Sequence, residues 1–283
     1  MKFAYAYAII PEMNFNLEQV IRDIAPLKKM VLADNDPHGY KERTALLGKG
    51  YQGGVVSGFG SAAVKHTETQ VSGRISETHV HKELEEYAKL SKLAIEKGIH
   101  CAPYLDIAVR EDDQKRHSYA FMPKLDGITS KSEGALEKML AIGTDGLKTF
   151  FEDYLTVHEL GFVTDTATKA DNLIVTDKNI NMIDMLVIYK AQQKLVPETQ
   201  QCAYFFAVDT ILGHWHRELL TPKGNTNLEF AKSSDELSHK RKMLTELARN
   251  VESALRWTSN SSNARGWAKK VRQSDFMREL ILD

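Results

Sequence analysis

Gly48-Lys49-Gly50-Tyr51-Gln52-Gly53-Gly54-Val55 is the stretch on which the fold turns, and it runs on through Val56, a Gly58-Phe59-Gly60 turn and Ala62-Ala63-Val64-Lys65. The spacing G-x-G-x-x-G-x-V alone is weak, because dinucleotide-binding folds use nearly the same glycines to open a helix. Here β-prone residues follow the glycines and a second β-prone run follows the turn, so the segment predicts a hairpin. Glycines between two strands let backbone N–H groups approach phosphates with no Cβ in the way. Lys65, at the end of the second run, is placed to hold an anion with its ammonium.

Outward from this hairpin the hydrophobic period changes. On its N-terminal side, residues 16–30 read as a helix, with Leu17, Val20, Ile21, Ile24 and Leu27 at helical spacing, a break expected at Pro26, and a polar turn over residues 34–38. On its C-terminal side, residues 78–97 return to helical spacing and Gly98 ends the run. Two strands are predicted over 103–109 and 118–122, around a charged turn. From Glu133 onward the pattern is mainly helical, with one strand-like interruption over 173–183. A β-rich first half with one helix, followed by a helical second half, predicts an α+β fold in two lobes.

Composition agrees with a globular chain long enough for one large domain or two lobes. The 283 residues are 42% hydrophobic and 27% charged, with a formal net charge of -1, which argues against a generic nucleic-acid binder. Cys101 and Cys202 form no C-x-x-C pair and are too few for a disulfide framework. The apolar run over residues 3–10 is closed by Pro11-Glu12, short of a transmembrane span, and is read as a strand or packed leader of the mature protein.

With Ala63-Val64-Lys65 placed after the glycine hairpin, the chain resembles the protein kinases. The resemblance implies a bilobal domain over about 44–283, an N-lobe of about 44–124, a C-lobe of about 125–283, and an N-terminal extension over 1–43. It implies ATP and Mg²⁺ as cofactors, with Gly48, Gly50, Gly53, Val55, Ala63 and Lys65 around the nucleotide. A carboxylate on the next helix should fix Lys65. Glu83 is preferred over Glu86 because it lies near the apolar stripe of Val80, Leu84, Tyr87 and Leu90. Met122 resembles the gatekeeper, and Pro123-Lys124-Leu125 the hinge, where Lys124 neighbours the adenine.

The resemblance continues through Ala167-Thr168-Lys169-Ala170-Asp171-Asn172, which is similar to the family's D-L-K-P-E-N loop aligned on Lys169 and Asn172. It implies that Asn172 binds one Mg²⁺ and that Asp184, twelve residues on, binds the bridging one. In Asp184-Met185-Leu186 the Phe-Gly of D-F-G is replaced. Val196-Pro197-Glu198 is similar to A-P-E, and Asp209 corresponds to the buried aspartate of the central C-lobe helix. The segment from Asp184 to Glu198 holds no Ser or Thr, and Thr166 replaces the arginine that pairs with a loop phosphate, so activity without loop phosphorylation is expected.

Ala167 stands where the family's catalytic aspartate accepts the substrate proton, and a methyl group cannot do this. Three explanations fit: an aspartate replaced to inactivate the enzyme, a natural pseudokinase, or a base displaced to Asp165. Lys169 is typical of Ser/Thr kinases, so the implied reaction is γ-phosphoryl transfer to a protein Ser or Thr. The divergent loop and short activation segment are similar to kinases that bacterial pathogens inject into host cells. That implies a virulence effector acting on a host protein, cytoplasmic or secreted into host cytoplasm. A pseudokinase binding module and a small-molecule kinase of the aminoglycoside or choline type are the alternatives. Between Ala231 and Arg272, ten Lys/Arg against four Asp/Glu, with Trp257 and Trp267, read as a solvated helical face or a surface for an anionic partner. No obligatory nucleic acid is expected. His214 and His216, like His79 and His81, are two apart on helices and do not face each other as metal pairs.

Overall fold

The computed structural model describes residues 15–33, 36–49, 55–70, 76–111, 115–160, 162–164, 170–183, 187–190, 205–220, 233–257 and 262–282. The fold is α+β: a five-stranded antiparallel sheet and a mostly helical remainder. The chain divides into two compact units, residues 1–125 and 126–283.

In the first unit, α1 (Leu17–Ala33) precedes a 3-10 turn (Gly39–Arg43). Strands β1 (Ala45–Lys49), β2 (Val55–Phe59) and β3 (Ala62–Gln70) follow, then α2 (Ser76–Lys97), β4 (Asp106–Glu111) and β5 (Lys115–Pro123). The sheet order is β1-β2-β3-β5-β4. Alternation along β3 gives two faces. Ala62, Val64, His66 and Glu68 share one, and the core formed there joins Ala62, Val64, Tyr119 and Phe121 to Val20, Ile24, Leu27 and Val31 of α1. Ala63 and Lys65 share the other.

The expected break at Pro26 is absent, because α1 runs through it. An interior proline costs about 3 kcal/mol. Four buried aliphatic side chains contribute roughly 1.5–3 kcal/mol each, so burial outweighs the lost hydrogen bond. The same helix is tied to the β2–β3 turn. Asp23 Oδ2 accepts from both the Ser61 backbone N–H and its hydroxyl, at 2.7 Å each, and these bonds hold the Asp23 carboxyl below its ordinary range. Residues 17–33 and 39–43, which fall within the 1–43 extension read from the sequence, belong to the first unit.

Helix α2 ends as expected. Gly98 takes φ +69°, the left-handed conformation that a glycine reaches without Cβ strain, and Ile99 N–H closes the turn on the Ala94 carbonyl at 2.9 Å. The C-terminal half of α2 is anchored by Tyr87, whose hydroxyl donates to the Ala102 carbonyl, and by Ser91, whose hydroxyl accepts from Tyr104 N–H.

The second unit contains β6 (Ile128–Thr129), α3 (Ala135–Glu159), β7 (Phe162–Thr164), β8 (Leu173–Val175), β9 (Ile180–Met182) and β10 (Val187–Lys190). A π-helical turn (Asp209–Gly213) leads into α4 (His214–Leu219), and α5 (Ser234–Trp257), α6 (Ser262–Arg272) and α7 (Asp275–Leu282) complete it. Its buried side chains include Phe150, Phe151 and Tyr154 of α3 and Leu244, Leu247 and Val251 of α5, on two helices that pack together. The strand-like interruption over 173–183 is the β8–β9 hairpin, with β6 on its other side. Pairing of β10 with β7 was not anticipated from the sequence.

Among the described residues no helix is long and apolar enough to cross a membrane.

Candidate functional site

Sheet register places the first group of candidate residues. Lys65 on β3 pairs with Val56 of β2 and Ala120 of β5, while Val56 also pairs with Gly48 of β1 and Ala120 with Ile107 of β4. One cross-strand row therefore runs Gly48, Val56, Lys65, Ala120, Ile107, and the lysine is in register with the first glycine of the hairpin. Ala63 pairs with Met122, two residues along the same face. Val55 pairs with His66 instead. Val56, which the sequence motif did not single out, is the β2 residue opposite Lys65; only the register could have found it.

Lys65 is half-buried and Met122 is buried. Lys124 follows β5, exposed, and its backbone N–H donates to the Ser61 carbonyl at 2.8 Å. Gly50 and Gly53 lie outside the described residues. The side chain of Glu83, on α2, lies outside them as well. Glu86, the other candidate on that helix, accepts from Lys89 at 2.7 Å.

The second group is built on the hairpin of the other unit. Asn172 closes a 3-10 turn (Ala170–Asn172) at the start of β8, buried, and its carbonyl accepts from Ile183 N–H at 2.8 Å. Ile183 is the residue before Asp184, so the hairpin pairs Asn172 with the direct chain neighbour of the second metal candidate. The turn is held by residues that sequence reasoning missed. Ser130 hydroxyl donates to the Ala170 carbonyl at 2.7 Å, Ser130 N–H donates to the Leu173 carbonyl at 3.0 Å, and Lys131 forms an ion pair with Asp171. Buried Trp215 in turn donates its indole N–H to the Ser130 carbonyl at 3.0 Å. No local signal marks Ser130 or Trp215, since each acts on a turn about 40 residues away in sequence.

The Asn172 amide suits an oxygen-seeking cation. Its Nδ2 is buried with no hydrogen-bond partner among the described residues. The two ends of an amide are interchangeable in orientation, so Asn172 can present an oxygen to a hard cation such as Mg²⁺. Asp165, Ala167, Lys169 and Asp184 lie outside the described residues.

Asp209 departs from the resemblance. It is exposed, with its carboxylate 3.5 Å from Arg217 of α4, not buried. The apolar run around it packs through Ala207, Val208, Ile211 and Leu212, and that packing turns position 209 outward. In the basic C-terminal segment, part of the charge is used internally. Lys240 is buried 3.4 Å from Glu236, Arg241 donates to the Leu219 carbonyl, and Arg256 pairs with Glu252. Trp257 is exposed.

The chain matches no protein-family model and no curated protein.

Proposed function

We propose that this chain is a bilobal kinase-like protein that binds ATP with Mg²⁺ and is built for γ-phosphoryl transfer to a Ser or Thr hydroxyl of a protein. The observation that carries the reading is the cross-strand row in which Lys65 stands in register with Gly48. A lysine on the third strand of an antiparallel sheet, directly after a glycine hairpin and before a helix, is the arrangement that kinases use to hold phosphates. The hairpin register that pairs Asn172 with the neighbour of Asp184 supports the metal assignment.

The chain's own residues divide the work. Lys65 neutralises phosphate charge and Glu83 orients it. Asn172 and Asp184 supply hard oxygen donors. Ala63 and Met122 offer an apolar floor for a base, and because Lys124 N–H is already engaged with Ser61, the base is recognised through other hinge groups. Mg²⁺, when bound, screens the phosphate charge that develops during transfer. Lys169 assists at the phosphoryl group, and the proton of the acceptor hydroxyl requires a base that Ala167 does not provide.

A melting-temperature assay tests the nucleotide reading, since a ligand selective for the folded state must stabilise it. ATP with Mg²⁺ should raise the melting temperature, and Lys65→Ala or Asp184→Ala should remove most of the shift. The absence of any shift in the unmutated chain would overturn the reading. Ala167 favours a second reading, a pseudokinase that binds nucleotide as an interaction module. Its signature is an intact shift with no phosphotransfer in the Ala167→Asp variant. An injected effector acting on a host protein remains the proposed biological setting, resting on family resemblance alone.

A further inference from the structure

The face of β3 opposite Lys65 carries a second concentration of chemistry, independent of the nucleotide reading. His66 and Glu68 project from that face, His117 pairs with Glu68 from β5, and His38 arrives from the turn before the 3-10 segment. One ligand atom from each of His38, His66 and Glu68 lies within 4.8 Å of the other two. The ring centroids of His38 and His66 are 5.0 Å apart, and those of His66 and His117 are 5.2 Å apart. His66 and His117 are buried, and their rings share a hydrogen bond of 3.0 Å between Nε2 of His66 and Nδ1 of His117.

We propose that His38, His66 and Glu68 form a binding site for a divalent transition-metal ion of the zinc class, with His117 as the positioning residue that orients the His66 ring. Two imidazoles and one carboxylate are a borderline donor set that suits zinc better than Mg²⁺ or Ca²⁺, which prefer oxygen alone. Zinc–ligand bonds of about 2.0–2.2 Å place tetrahedral donors roughly 3.4 Å apart, so these side chains need to adjust by only about an ångström. Three protein ligands leave a fourth position for water.

Hydrogen bonds around the three ligands fix how they face one another. His66 is buried, with its Nε2 hydrogen-bonded to Nδ1 of His117. Glu68 has Lys115 on its Oε2 at 2.9 Å and Oε1 turned to His38. Lys41 donates to Nδ1 of His38 at 2.6 Å, which places the His38 proton on Nε2, bonded to Glu68 Oε1 at 2.8 Å. Metal binding at Nε2 transfers that proton to Nδ1 and releases Lys41. The ion takes the place of a bridging proton, and it ties the segment after α1 to β3.

The test is a Zn²⁺ titration of the full chain, freed of metal and nucleotide, in competition with a chromophoric chelator. One Zn²⁺ per chain should bind at micromolar or lower concentration and raise the melting temperature. Glu68→Gln and His38→Ala should each weaken binding at least tenfold, while far-UV circular dichroism without metal stays that of the parent. If His38→Ala does not fold, the isosteric Glu68→Gln decides alone. No stoichiometric uptake by the parent chain, or uptake that neither variant weakens, would overturn the proposal. ¹⁵N shifts of the histidine rings supply a readout that a purely structural network would not move: His38 and His66 should change on adding Zn²⁺, and His158 and His239, in the second unit, should not.

Discussion

On the proposed kinase reading, phosphotransfer turns on Ala167. A positioned general base contributes about 10²–10⁴-fold in rate, and Lys169 and Asn172 stand two and five residues on, in the pattern that accompanies a carboxylate. Ala167→Asp is expected to produce phosphotransfer to Ser or Thr with a gain in that range and little change in nucleotide affinity, measured with labelled ATP. Asp165→Asn in that background should matter far less; the opposite result would assign the base to Asp165. Sequence reading singles out its candidate residues by fixed offsets from a glycine or an asparagine. Val56, Ser130 and Trp215 escape it, since a cross-strand partner or a turn anchor is defined by register and not by offset.

Helix α3 shows how an element is shaped by one residue. Gly143 has φ +63° and ψ -165° within an otherwise helical run, so the helix kinks there. This conformation belongs almost solely to glycine. A Cβ at Gly143 would meet nothing within 4 Å, so any penalty for Gly143→Ala comes from the backbone alone. The variant should lose about 1–3 kcal/mol of stability in urea unfolding. Unchanged stability would mean that the helix straightens through the kink, recovering the roughly 1 kcal/mol by which alanine favours a helix over glycine.

At the scale of the whole molecule, each unit buries a neutral histidine, and this sets the response to acid. Burial lowers His66 to about 3 in the first unit and His158 to about 4 in the second. Both folded values lie below the unfolded value, so between them the unfolded chain binds protons that the folded chain does not. Stability from these groups is present above about pH 6.5 and is lost as pH falls towards the folded values. Each histidine should cost about 2 kcal/mol between roughly pH 7.5 and pH 5, read from unfolding midpoints in the presence of chelator. His158→Phe, which keeps a ring against Tyr154, should flatten the profile of the second unit.

The sequence by itself determined what short-range rules govern. Glycine punctuation dictated the β2–β3 hairpin, helical spacing dictated α2 with its stop at Gly98, and the change of period after Glu133 dictated a helical second half. These signals act within a few residues along the chain. Tertiary structure decided what depends on distant partners. Burial of α1 against β3 and β5 carried the helix through Pro26, packing turned Asp209 outward, and β7 found β10 across some two dozen residues. The gathering of His38, His66, Glu68 and His117 depends on the same physics. A strand's faces alternate with a period of two, so which side chains meet is settled by the register that the buried core selects, and no local pattern encodes it.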